Sequence, residues 1–112
     1  MTLAHFRRKI DQLDRRLVAL LNRRARAAQH IGRLKRKTRM AIYEPRRESR
    51  ILDNVRRSNR GPLSHRQLAE IYRRIIRAMR ELQRAIMLAS PPSAPEAQER
   101  AEGKRQRAIS NK

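Results

Sequence analysis

Apolar residues at Leu3, Phe6, Ile10, Leu13, Leu17 and Leu20 recur at alternating steps of three and four. That spacing is the seam of a helix that packs along a partner. The pattern continues through Ala28, Ile31 and Leu34 with no proline before Pro45, so it predicts a first helix over roughly residues 3–38. At ~1.5 Å per residue such a helix is a rod of about 50 Å, which cannot fold back on itself. Gly32 interrupts the rod at a cost of roughly 1 kcal/mol against alanine, which points to close approach of another backbone or of a ligand there. Residues 38–45 read as a connection, and Pro45 suits the first turn of a helix because its missing N–H would be unpaired there anyway. A short second helix then carries Ile51, Leu52 and Val55 and stops near Asn59 to Pro62. Ser64 followed by Gln67 is a capping-box signature. It opens a third helix over roughly 64–89, with Leu68, Ile71, Ile75, Met79, Leu82 and Ile86 at helical spacing. No stretch has strand periodicity and no repeat is present. The predicted class is all-α: a long, a short and a medium helix.

Among Leu, Ile, Val and Phe only Ile109 lies beyond residue 89. A helical domain is therefore expected over 1–89, followed by a flexible, disordered polar tail over 90–112 that begins Ser90-Pro91-Pro92. At 112 residues the chain is one domain at most, and its core is expected to be thin enough to be completed by oligomerisation, in a dimer or larger. There is no cysteine, so disulfides and thiolate chemistry are excluded, and His5, His30 and His65 have no metal-ligand spacing. The wholly apolar run Leu17 to Leu21, which no other run exceeds, is far too short to span a membrane. A soluble, cytoplasmic protein without metal or cofactor is the expectation.

Charge changes the picture more. The 30 Lys and Arg residues against 10 Asp and Glu give a net charge of +20, nearly all of it within the helical part. Such an excess implies an anionic partner: nucleic acid, a membrane surface or a small polyanionic metabolite. Phe6, Tyr43 and Tyr72 are the only aromatic residues, too few for the stacking platforms of single-strand binders. The bases are also spread throughout, rather than blocked ahead of a clean heptad region as in a basic zipper.

Polar residues that fall on the apolar stripes are more informative. The seam of the first helix passes through Arg24 and Lys35, about three turns and ~16 Å apart along one face. Glu48 precedes Ile51, Leu52 and Val55 by three, four and seven residues. Gln83 sits between Met79 and Ile86. Taken singly, each has an ordinary explanation: a snorkelling base, a satisfied core amide, a carboxylate paired with a nearby arginine. Together they form two cations, a carboxylate and a neutral amide converging inside a helical bundle, which either satisfy one another or bind a small, rigid, hydroxylated dianion.

In this arrangement the chain resembles the all-helical chorismate mutase family over roughly residues 3–88. The resemblance rests on Arg7-Arg8-Lys9-Ile10-Asp11-Gln12-Leu13-Asp14, Leu20-Leu21-Asn22-Arg23-Arg24, Ile31-Gly32-Arg33-Leu34-Lys35, Tyr43-Glu44-Pro45-Arg46-Arg47-Glu48 and Gln83, five segments in order with matching spacing. It implies an intertwined helical homodimer with two equivalent sites that convert chorismate to prephenate, as a free-standing enzyme. It further implies that Arg24 and Arg7 hold the two carboxylates, with Arg7 donated across the interface, and that Lys35 and Gln83 contact the ether oxygen. Glu48 would take the ring hydroxyl, while Arg47 and the backbone at Glu44 would support the site. Met79 stands where members often carry a small hydroxyl residue, and Glu44 where a shorter aspartate is also found. An isochorismate-pyruvate lyase of the same fold, or a basic helical nucleic-acid binder, stays open as an alternative.

Overall fold

The computed structural model describes residues 1–89, so the expected 90–112 tail lies outside the described residues. Three helices follow in order, α1 over Leu3–Thr38, α2 over Pro45–Ser58 and α3 over His65–Leu88, with no strand among the described residues. Each boundary has a local cause. Thr2 caps α1 by accepting the backbone N–H of His5 at 3.1 Å. Arg39, at φ 57°, ends it in the left-handed conformation, and Lys35, Arg36 and Lys37 place positive charge on the last turn, where the helix dipole favours it. Pro45 occupies the first turn of α2. Ser64 and Gln67 close the anticipated capping box, the Ser64 hydroxyl accepting from the Gln67 backbone and the Gln67 side chain accepting from the Ser64 backbone.

The third helix organises the rest. It packs against both α1 and α2, whereas α1 and α2 do not pack on each other. The buried residues of α1 all lie in its C-terminal half, where Ala28, Gly32 and Lys35 follow at steps of four and three. Gly32 explains how close the α1 and α3 axes come, because a Cβ placed there would lie 3.1 Å from the Gln83 Cα. The close approach anticipated from the sequence is thus the α3 backbone. Near the far end, the Arg36 guanidinium donates to the Ile86 carbonyl at 3.0 Å and ties the last turn of α3 to α1.

Every one of the first twenty residues is exposed. The seam predicted to pack therefore stands bare in the single chain: Ile10 is 55% and Leu17 is 53% exposed. Among the described residues the buried apolar core reduces to Ala28, Ile76 and Met79. The α3 residues that turn inward are thus Ile76 and Met79, not the Ile71 and Ile75 positions of the predicted stripe; Ile71 is exposed and Ile75 only half-buried.

Candidate functional site

The deepest polar group in the described chain is Lys35, 5% exposed on α1. Its ammonium does not snorkel to solvent. It donates to the Ile42 carbonyl at 3.0 Å and to Gln83 Oε1 at 3.0 Å, and it pairs with Glu44 Oε2 at 2.9 Å. An ammonium has three N–H donors, so all of them are engaged. The contacts bring α1, the 39–44 connection and α3 to one point. They also orient the Gln83 amide: with Oε1 turned to Lys35, its Nε2 hydrogens remain to donate elsewhere.

Lys35 and Gln83 form one wall of a cavity of about 260 Å³. That is just under the ~300–1,000 Å³ of pockets for drug-sized ligands, hence the scale of a small metabolite. Arg24 from α1, Glu44 from the end of the connection, and Arg47 and Glu48 from the start of α2 face the same space. Six of the seven residues singled out in the sequence therefore meet on one cavity. Arg7 does not, being exposed on the bare half of α1, with 28 residues and about 42 Å of helix between it and Lys35 at ~1.5 Å per residue. Buried Met79 closes the apolar floor with Ile76, so no hydroxyl is supplied at that position.

Two features differ from the sequence reading. The resemblance assigns only backbone support to Glu44, yet its side chain is an ion-pair partner of Lys35. Glu48 is satisfied by neither Arg24 nor Lys35. It accepts both arms of a guanidinium that the sequence reading passed over: Arg80 Nε to Oε2 at 3.0 Å and Arg80 Nη2 to Oε1 at 3.1 Å. The Arg80 guanidinium also lies over the Tyr43 ring, 5.0 Å from its centre. The signal for Arg80 was present, since Ile76, Arg80 and Gln83 follow one another at steps of four and three on the face that turns inward. It was hidden because the predicted stripe runs through Ile75 and Leu82, each one position away from Ile76 and Gln83, and shares only Met79 with the buried residues of α3.

The cavity so formed carries four cations, Arg24, Lys35, Arg47 and Arg80, against Glu44 and Glu48. Its formal surplus of two positive charges suits a dianion, and none of the described His, Asp and Glu residues cluster to hold a metal ion. No described helix is long and apolar enough to cross a membrane.

The family model for chorismate mutase type II matches residues 6–84, a span that contains every residue of this cavity and Arg7. The chain belongs to the type II chorismate mutase family. Among sequence relatives of this family member, the bifunctional chorismate mutase/prephenate dehydratase of Aquifex aeolicus is 36% identical over 91 residues, covering 78% of this chain and 25% of the relative. The protein of the same description from Pseudomonas aeruginosa is 33% identical over 88 residues, covering 74% and 24%. The chain thus spans about a quarter of the length of the curated relatives it matches. Solved chorismate mutases match over nearly their whole length. That of Thermus thermophilus superposes with a TM-score of 0.72 at 28% identity, covering 73% of this chain and 93% of that one. That of Helicobacter pylori, in complex with prephenate, also gives 0.72 at 28% identity, covering 80% and 97%.

Proposed function

We propose that residues 1–89 form a chorismate mutase that converts chorismate to prephenate, a step toward phenylalanine and tyrosine, and that they do so as a homodimer with two shared sites. The observation that carries this reading is the buried Lys35 ammonium with the Gln83 amide beside it, facing a metabolite-sized cavity of net positive charge. The rearrangement breaks one C–O bond and makes one C–C bond within a single molecule, so it needs no nucleophile and no general base. It is accelerated by holding the enolpyruvyl side chain over the ring and by stabilising the negative charge that grows on the ether oxygen. Lys35 supplies a fixed cation for that charge, and Gln83 Nε2 donates to the same oxygen. Because all three Lys35 donors are engaged within the chain, the ether oxygen takes the place of one acceptor. Glu44, whose side chain is 39% exposed, is the one free to swing out into water. Glu48 accepts the ring hydroxyl, and Arg47 flanks the carboxylates.

Arg24 can hold one carboxylate of the substrate. The second falls to Arg7 of the partner subunit, and the bare apolar seam over residues 3–20 supports that pairing, since two such helices running antiparallel would cover each other's exposed leucines and carry each Arg7 toward the other chain's Arg24.

Incubation with chorismate and with isochorismate tests the proposal. Prephenate should form from chorismate. Pyruvate and salicylate formed from isochorismate alone would make the chain a lyase of the same fold. No turnover of either, together with DNA binding that falls steeply with salt, would make it a nucleic-acid binder.

A second expectation concerns the neutrality of Gln83. In Gln83→Glu the carboxyl donates to the ether oxygen only when protonated, and Lys35 beside it favours the ionised form. Variant activity should therefore be present at acid pH and lost as pH rises. Its kcat/KM should fall about tenfold per pH unit above the carboxyl's titration, while the parent shows no such slope. Matching pH profiles would leave Gln83 a packing amide.

A further inference from the structure

Arg80 belongs to the cavity, yet none of the roles proposed above uses it. Its guanidinium is committed on both sides. It grips Glu48 with two parallel hydrogen bonds of 3.0 and 3.1 Å, and it lies over the Tyr43 ring at 5.0 Å. Both members of the ion pair are largely withdrawn from water, with side chains 27% and 22% exposed. A two-pronged guanidinium–carboxylate contact fixes orientation as well as charge, which a single ammonium contact does not. Tyr43 belongs to the same connection as Ile42 and Glu44, the two partners of Lys35. The Arg80 side chain therefore links α3 to the start of α2 and to the connection that closes over Lys35.

The charge balance gives this contact a chemical consequence. Glu48 is an anion in a cavity proposed to receive a dianion, and by itself it would repel the ligand whose hydroxyl it is to bind. With Arg80 the cavity holds four cations against two carboxylates; without it, three against two. Each carboxylate oxygen gives one lone pair to Arg80 and keeps another to accept a hydroxyl.

We infer that Arg80 is a positioning and specificity residue, which neutralises and orients Glu48 so that this carboxylate can accept the substrate's ring hydroxyl without repelling its carboxylates. The inference rests on the proposed role of Glu48. Removing Arg80 alone should then do harm through Glu48, and removing the Glu48 charge as well should undo that harm.

The experiment compares parent, Arg80→Leu, Arg80→Gln, Arg80→Lys, Glu48→Gln and Arg80→Leu/Glu48→Gln, each checked for thermal unfolding and oligomeric size. Turnover of chorismate is measured by kinetics and binding of prephenate by calorimetry. Arg80→Leu should lose on the order of 10²-fold in kcat/KM, the scale for stripping one partner from a desolvated charge pair, with much of the loss in KM. The double variant, whose residue 48 is a neutral acceptor, should recover most of it. Arg80→Lys, which keeps the charge but not the two-pronged grip, should retain KM better than kcat. Arg80→Gln carries the comparison if Arg80→Leu does not fold. Losses that simply add in the double variant, or an Arg80→Leu protein with parental kcat/KM, overturn the inference while leaving the mutase reading intact. A parent that fails to turn over chorismate, with prephenate binding that still follows the predicted order, overturns the mutase reading and leaves Arg80 in its role.

Discussion

Lys35→Ala should reduce kcat/KM by about 10³-fold or more, since removing one neutral donor from an oxyanion site already costs ~10²–10³ and Lys35 supplies a full charge. Its position makes the effect large. At 5% exposure the ammonium sits where water screens little, and its hydrogen bonds to Ile42 and Gln83 hold it aimed before any substrate arrives. Folding should suffer far less. The acceptors it leaves behind border a cavity that water can fill, and Glu44 is exposed enough to be hydrated, so the melting temperature should move by only a few degrees. Steady-state kinetics beside thermal unfolding and gel filtration separates the two outcomes. A folded variant with near-parental activity would remove Lys35 from the chemistry and with it the proposed function.

Unfolding equal amounts of inactive Arg7→Ala and inactive Lys35→Ala proteins together and refolding the mixture should restore about a quarter of parental activity. Arg7 lies 17 residues from Arg24 on a continuous helix, about 25 Å at ~1.5 Å per residue and beyond the span of one small substrate. It can therefore complete a site only in another chain. A two-fold axis then gives each site Arg24, Lys35, Glu48 and Gln83 from one subunit and Arg7 from the other. Random pairing makes half of the dimers mixed, and in each mixed dimer one site carries both defects while the other carries neither. If Arg7 acted within its own chain, every site would keep one defect. A mixture that stays inactive, with mixed dimers demonstrated by mass spectrometry, would reject the shared site.

Much of the fold was legible because it is local. Helix periodicity, the Ser64–Gln67 capping box and Pro45 in a first turn act within three or four residues of the chain, and the three helices appear within about one residue of the boundaries they predict. The site was legible to the extent that polar residues interrupted the apolar stripes, which is how Arg24, Lys35, Glu48 and Gln83 were found. Arg80 was missed, though it sits on α3 three residues before Gln83. The reason is that a stripe's phase is ambiguous by one position when Ile75 and Ile76 are both apolar, and only contact with a neighbouring helix decides which of them turns inward.

The sequence by itself determined three helices, their ends, an apolar seam along the first of them and a set of misplaced polar groups on helix faces, because 3.6-residue periodicity and capping are properties of one segment at a time. Tertiary structure alone decided who meets whom. Lys35 reaches Gln83 across 48 residues, and Arg80 reaches Glu48 across 32. Those pairings depend on how closely α3 lies on α1 at Gly32 and on which face it offers to α2. No local pattern carries that information, because the distance between two helix axes is set by the side chains of both at once.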